Sequence, residues 1–285
     1  MTQRIRLGLV GSNISRSLAP AFHIKAGARM GVDVTYDLLP QPDLDADQLA
    51  GVIGEVRSQG FDGVNVTYPF KQAAMDLVDL GGPGVNAIGA VNTLVFRPED
   101  VISGFNTDHS GLQRRWRQRM GVETPGTVAI IGAGGVGRAA AFAFAGLGAE
   151  EIRVSDVDSG RAARLVHDLL RSYPGTAVNR ATQEAAIRAA TGIFNGTPLG
   201  MHFSPGSPVS LEAIGGQHWL FDAVYTPVRT PLVERAMEAG LRVFDGLELF
   251  LGQAVDAFQH FTGIDLPDDV ATGLEVEMRA LLPTN

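Results

Sequence analysis

Short apolar runs rich in valine and isoleucine alternate along this chain with longer stretches in which apolar residues recur every three or four positions. Such runs suit strands buried in a parallel sheet and the longer spacing suits amphipathic helices, so their alternation marks βαβ units. In the first half, strands are predicted at 5–10, 34–39, 63–67 and 90–96, with helices at 20–30, 45–58 and 70–80 between them. A second series starts near Thr127, with strands at 128–131, 152–155, 193–195 and 220–224 and helices at 135–147 and 160–171. Residues 106–122 read as a helix joining the two series rather than as a flexible linker. Helical patterns at 247–261 and 268–282 follow the second sheet and are expected to cover or bridge rather than extend it. The fold class is therefore α/β, with two domains built on mainly parallel sheets.

Length agrees, because 285 residues suit two medium domains, each able to bury its own core. A formal charge of −8 with scattered arginines provides no basic stripe for replacing counterions, which argues against nucleic-acid and anionic-membrane partners. With no cysteine, the chain has no disulfide, thiolate nucleophile or cysteine metal site, and a cytoplasmic location is expected. Residues 128–149 are apolar enough to imitate a membrane span, but four glycines within six residues and Arg138 favour a strand, a turn and a buried helix instead. No pair of histidines has metal-ligand spacing, so no metal is expected. His23 is expected to cap or pack beside its motif.

The sharpest chemical signal is the turn Gly132, Ala133, Gly134, Gly135, Val136, Gly137, a Gly-x-Gly-x-x-Gly placed after a strand and at the start of a helix. Gly132 permits the tight turn, Gly134 lets backbone approach a pyrophosphate, and Gly137 lets helix and strand pack closely. The helix N-terminus would meet the phosphates with its N–H groups and its dipole. At the end of the next strand, Asp156 and Asp158 can accept hydrogen bonds from a ribose diol and would repel a 2′-phosphate, which favours NAD over NADP. Arg161 follows closely and could temper that preference. Asp158 or Ser159 is also placed to cap the next helix.

Polar residues gather beside strand ends in the first half: Ser15, Ser17, Asn65, Thr67, Lys71, Asn92, Thr93, Asn106, Thr107 and Asp108. Strand C-terminal ends are where open α/β sheets hold ligands, and this set of uncharged hydrogen-bonding groups with one lysine and one aspartate suits a polyol.

In order along the chain, the motifs are Ser17-Leu-Ala-Pro-Ala-Phe-His23, Asn65-Val-Thr-Tyr-Pro-Phe-Lys71, Gly89-Ala-Val-Asn-Thr93, Gly104-Phe-Asn-Thr-Asp108, the glycine turn, Asn195-Gly-Thr-Pro-Leu-Gly-Met201, Asp222-Ala-Val-Tyr225, and Asp245-Gly246 through Gln253. In these the chain resembles the shikimate and quinate dehydrogenase family over essentially its whole length. The resemblance implies a substrate domain of residues 1–105 with 245–285, a Rossmann domain of residues 106–244, and a ternary cleft. It implies that Lys71 and Asp108 are the catalytic pair. Ser17, Asn92 and Gln253 would contact substrate, Asn65, Thr67 and Tyr225 would line the same pocket, and Thr197, Ala223 and Gly246 would lie beside the cofactor.

The chemistry agrees, because oxidising a secondary alcohol needs a base for the hydroxyl proton and the reverse needs a donor at the carbonyl. A lysine serves both directions. The first motif departs from the family pattern at Ala19, where a second hydroxyl is usual, and Ser15 could replace it. The expectation is thus an NAD-dependent oxidoreductase acting on a ring hydroxyl of quinate, shikimate or a close relative, as a monomer or homodimer. Its rivals are an NADP-dependent biosynthetic shikimate dehydrogenase and a non-catalytic ligand sensor on the same fold.

Overall fold

The computed structural model describes residues 3–282. They fall into two compact units, one comprising the chain up to Thr107 together with Gln253–Leu281, the other comprising Asp108–Gly252.

The first unit carries β1 (Arg4–Gly11), α1 (Ala19–Met30), β2 (Asp33–Pro40), α2 (Leu49–Ser58), β3 (Gly63–Val66), β4 (Leu80–Gly81), α3 (Val85–Ile88), β5 (Thr93–Phe96) and β6 (Ile102–Phe105). Its six strands lie in the order β2-β1-β3-β5-β6-β4. The chain thus leaves β1 for one side and later returns to the other, which creates a switch point between β1 and β3. The loops after those two strands carry Ser15 and Ser17 on one side and Thr67 to Lys71 on the other. One face is filled by Ile53, Val56, Phe61, Val64, Phe70 and Leu94, all buried.

Helix α4 (Thr107–Met120) runs from the last residue of the first unit into the second. There follow β7 (Thr127–Ile131), α5 (Gly135–Gly146), β8 (Glu151–Ser155), α6 (Ser159–Ser172), β9 (Ala177–Arg180), α7 (Gln183–Ile187), β10 (Gly192–Asn195), β11 (Trp219–Asp222), α8 (Pro231–Glu238) and β12 (Arg242–Phe244). The order β12-β11-β10-β7-β8-β9 is parallel throughout and is the doubly wound dinucleotide-binding arrangement, with its switch point between β7 and β10. Helix α5 is apolar on every side because it is buried on every side, and its single charge, Arg138, pairs with Asp168 of α6 at 2.7 Å. Trp116 of α4 sits at the centre of an aromatic group, 5.0 Å from Trp219 and 5.6 Å from both Phe144 and Phe244 between ring centroids.

Helices α9 (Gly246–Thr262) and α10 (Asp268–Leu281) close the chain. The second half of α9 packs Phe258 and Phe261 around His23 of α1, and α10 is tied to α1 by ion pairs from Lys25 and Arg29 to Glu277.

The first sheet is mainly parallel, as expected, with β5 alone running antiparallel to its neighbours β3 and β6. Several other expectations need correction. The helix expected at 70–80 is only a 3-10 turn at Ala73–Leu77, after which the chain extends into β4. Two contacts pull it out of helix: Asp79 exchanges hydrogen bonds with the backbone of Ile102, and Val78 sits over Gly104, where a side chain would collide with it. The strand expected at 90–96 starts at Thr93, because Val91 and Asn92 donate instead to the carbonyls of Lys71 and Phe105. The helix expected at 45–58 opens with a 3-10 turn, Ala46–Gln48, and becomes α-helical at Leu49. Strands β4, β6, β9 and β12 and helices α3, α7 and α8 lie outside the elements that the apolar pattern predicts. They are short, and the strands among them lack a long apolar run.

Candidate functional site

In the second unit, the glycine turn follows β7 directly and leads into α5. Gly132 lies in the left-handed region at φ 92°, and a Cβ there would meet Thr197 and Gly196 at 2.9–3.1 Å. At Gly137 a Cβ would collide with the Gly132 carbonyl oxygen, so helix and strand are in backbone contact. Gly134, the N-cap of α5, is different: a Cβ there would have nothing within 4 Å. The turn is therefore packed behind Gly132 and Gly137 and open at Gly134, as backbone approach by a pyrophosphate requires. The first-turn N–H groups of α5, from Gly135, Val136 and Gly137, have no partner within the helix and point the positive end of its dipole at that opening.

The two acids after β8 are not equivalent. Asp156 braces the turn, its carboxylate accepting from the Ala133 N–H at 2.6 Å and from the Asp158 N–H at 2.7 Å, and its side chain is only 5% exposed. Asp158 is the N-cap of α6, where Oδ1 accepts from the N–H groups of Gly160 and Arg161 at 2.9 and 3.0 Å. Its side chain is 47% exposed, and its Oδ2 faces the Arg161 guanidinium at 3.7 Å, beyond hydrogen-bond distance. The Arg161 N–H, and then that of Gly160, holds the Asp158 carboxyl below the usual carboxylate range. The Arg161 guanidinium lies 3.9 Å from Asp156 and 3.7 Å from Asp158 and is shared between them.

Across the switch point, β10 ends in Asn195. Its Oδ1 accepts from the N–H and hydroxyl of Thr197 at 2.9 and 2.8 Å, and its Nδ2 donates to Asp222 at 2.8 Å. Asp222 is fully buried and also accepts from the Thr230 hydroxyl at 2.7 Å and the Val224 N–H at 3.0 Å. Burial pushes its carboxyl up to about 6 against the pull of those donors, with Asp245 adding to the rise. Thr197 and Ala223 are thus held by one hydrogen-bonded brace. Gly246 presses against the backbone of Val224 and Tyr225, and the Tyr225 ring stacks on Phe250 at 5.6 Å. The brace residues Asp222 and Thr230 are absent from the expected site. The motif contained Asp222, but only the fold gives it three donors.

In the first unit, Phe70 is buried in the core and anchors the segment before Lys71, whose carbonyl accepts from the Val91 N–H. Lys71 is half-buried, and Asp108, in the first turn of α4, is 5% exposed. Asn65 is buried: its Oδ1 accepts from the Tyr36 hydroxyl at 2.8 Å, and its Nδ2 donates to the Asn92 carbonyl at 3.2 Å and to Thr93 Oγ1 at 3.0 Å. Asn92 Oδ1 lies 2.8 Å from the Thr107 N–H and 3.1 Å from each of the Thr93 and Thr107 hydroxyls. Thr107 Oγ1 reaches Gln253 Oε1 at 3.3 Å. This fold therefore joins Asn65, Asn92 and Gln253 through Tyr36, Thr93 and Thr107. Nothing in its strand pattern marks Tyr36, and only the fold brings it into this network.

Ser17 accepts from the Ala19 N–H at 3.2 Å and so stabilises the start of α1, while Ser15 is exposed and Thr67 packs beside Gly11. Ala19 is buried. His23 is fully buried among Tyr36, Phe22, Phe258 and Phe261, and neither ring nitrogen has a hydrogen-bond partner among the described residues. Desolvation pushes its pKa down to about 3, so it is a packed neutral ring. Among the described residues no cluster of histidine, aspartate and glutamate could hold a metal ion.

Known proteins share this construction. The family described as "Shikimate dehydrogenase substrate binding domain" matches residues 9–94. A quinate/shikimate dehydrogenase (NAD(+)) of Corynebacterium efficiens is 37% identical over 273 residues, covering 93% of this chain and 94% of its own. A shikimate dehydrogenase (NADP(+)) of Pseudarthrobacter chlorophenolicus is 36% identical, with 93% and 92% covered. The solved quinate dehydrogenase from Corynebacterium glutamicum in complex with NAD superposes with a TM-score of 0.86 at 32% identity, covering 98% of this chain and 100% of that one. Similarity at this level over nearly the full length of both chains places this chain in the shikimate and quinate dehydrogenase family.

Proposed function

We propose that this chain is an NAD-preferring oxidoreductase that exchanges a hydride between the nicotinamide and a ring hydroxyl of quinate, shikimate or a closely related cyclic polyol acid. The observation that carries the cofactor choice is the sharing of Arg161 between Asp156 and Asp158. A 2′-phosphate would meet two carboxylates and a guanidinium already engaged by them, whereas a ribose diol can donate to the exposed Asp158 Oδ2, which accepts no hydrogen bond from Arg161 at 3.7 Å.

When bound, NAD supplies the hydride acceptor, and the chain supplies position and proton transfer. Gly132 to Gly137 and the N-terminus of α5 hold the pyrophosphate, Asp158 holds the ribose, and Thr197, Ala223 and Gly246 line the nicotinamide end. Ser17, Thr67, Asn92, Tyr225 and Gln253 hold the polyol acid, with Ser15 near its carboxylate and Asn65 as an acceptor. Lys71 takes the hydroxyl proton during oxidation and returns it to the carbonyl oxygen during reduction, and Asp108 orients its amine. The enzyme is proposed to work in the cytoplasm as a monomer or homodimer, consistent with a chain that has no cysteine. Among the described residues no helix is long and apolar enough to cross a membrane.

Steady-state rates for quinate and shikimate with NAD and with NADP test this reading. A kcat/KM at least tenfold higher with NAD is expected, and a preference for NADP would overturn the role given to the two acids.

A further inference from the structure

Asn92 and Gln253 belong to the first unit and can each face a ligand with an N–H donor or a carbonyl acceptor. We infer that Thr93, a residue too buried to touch substrate, decides this choice at Gln253, the Asn92 amide being set by the Thr107 backbone N–H, so that both amides present donors. The inference rests on the substrate reading above.

Two amides are pinned by groups whose hydrogen-bonding role is unambiguous. The Thr107 backbone N–H can only donate, so the atom 2.8 Å from it is the Asn92 oxygen. The Asn92 backbone carbonyl can only accept, so the atom 3.2 Å from it is the Asn65 nitrogen. Asn65 therefore also donates to Thr93 Oγ1 at 3.0 Å, and the single Thr93 proton must be given elsewhere. It goes to Asn92 Oδ1 at 3.1 Å rather than to Thr107 Oγ1 at 3.4 Å. Asn92 Oδ1 then has both lone pairs filled, which leaves the Thr107 hydroxyl proton for Gln253 Oε1 at 3.3 Å. Asn92 Nδ2 and Gln253 Nε2 donate to none of the described residues and are the ends left for a ligand.

The ligand groups facing these two amides must accordingly carry lone pairs. A hydroxyl or carbonyl oxygen fits, while a ring ammonium, which can only donate, does not. Thr93 is fully buried and so acts through its neighbours as a positioning residue. Without its hydroxyl, the Thr107 proton turns to Asn92 Oδ1 at 3.1 Å and Gln253 loses the donor that fixes its orientation.

Titration calorimetry without cofactor, which prevents turnover, provides the test, using quinate, shikimate and their analogues with one ring hydroxyl replaced by an amino group, with NAD titrated separately in the absence of polyol. Wild type is expected to bind the hydroxylated acids on the order of tenfold or more tighter than the amino analogues, as befits one unsatisfied buried pair. Thr93→Val should weaken the hydroxylated acids by roughly tenfold, shrink the discrimination, and leave NAD affinity within about twofold. Thr93→Ser should restore both quantities. Thr107→Val, which removes the donor to Gln253 directly, should also shrink the discrimination and stands in if Thr93→Val does not fold. Unchanged discrimination in a folded Thr93→Val or Thr107→Val protein would overturn the inference, as would parallel loss of NAD and polyol binding. Failure of wild type to bind any of these acids would overturn the underlying substrate reading as well.

Discussion

Lys71 is where the proposed chemistry is most exposed to test. Its role is confined to the reacting hydroxyl, so Lys71→Ala should lower kcat by roughly 10²–10⁴-fold while polyol affinity stays close to wild type. Turnover that survives the substitution would remove Lys71 from the mechanism. Asp158 has two duties, since Oδ1 caps α6 and the exposed Oδ2, beside Arg161, is the oxygen proposed to take the ribose. Asp158→Ala should therefore raise KM for NAD by about tenfold, by loss of a hydrogen bond from the ribose to a charged group, and should lower Tm slightly through the lost cap. It also releases Arg161, so the ratio of kcat/KM for NAD to that for NADP should fall. A ratio that does not move would show that the guanidinium is irrelevant to cofactor choice.

At the level of elements, the dinucleotide turn works because helix and strand touch through backbone. Gly137→Ala puts a methyl group against the Gly132 carbonyl, and α5 can relieve that clash only by moving off β7. Overpacking of this kind costs about 1–3 kcal/mol, and the displaced helix N-terminus should bind NAD at least tenfold more weakly. Thermal unfolding and NAD titration check the two effects, and a variant with normal Tm and normal affinity would contradict the close contact. The aromatic group around Trp116 offers a different test, because that ring is fully buried in the second unit. Trp116→Ala should destabilise by about 3–5 kcal/mol, measured by denaturant unfolding.

On the scale of the molecule, two buried titratable groups give the units opposite responses to acid. His23, in the first unit, has a pKa pushed down to about 3 from 6.5. Its contribution is present above pH 6.5 and is lost as pH falls from there toward 3, with a limiting slope of about 1.4 kcal/mol per pH unit. Asp222, in the second unit, has a pKa pushed up to about 6 from 3.8. Its contribution is present below pH 3.8 and is lost as pH rises through 6. Between about pH 4 and 6 the two slopes oppose each other. Calorimetric unfolding across pH 4–7 should therefore show His23→Phe gaining stability relative to wild type as pH falls, and Asp222→Asn losing it. Parallel pH profiles for wild type and either variant would refute the assignment to that group.

What the linear order of residues determined was local: the glycine turn between a strand and a helix, the acids two positions apart after the next strand, and the motifs that carry the family likeness. These were legible because their chemistry lies in neighbours along the chain, where backbone geometry alone sets which atoms meet. The long, strongly periodic elements were legible for the same reason. Residues 70–80 were not, because Gly104 and Ile102, distant in sequence, draw that segment into a sheet against its helical pattern. The cap that Asp158 makes on α6 is local, but the brace from Asp156 to Ala133 was not legible, since it depends on how β7 and β8 lie side by side. Tyr36 and Asp222 became functional candidates only in the tertiary structure, and Thr93, one of the polar residues legible at the strand ends, gained its particular role only there. A hydrogen bond needs donor and acceptor within about 3 Å, and residues some 30 to 150 positions apart reach that distance only when the sheets have formed.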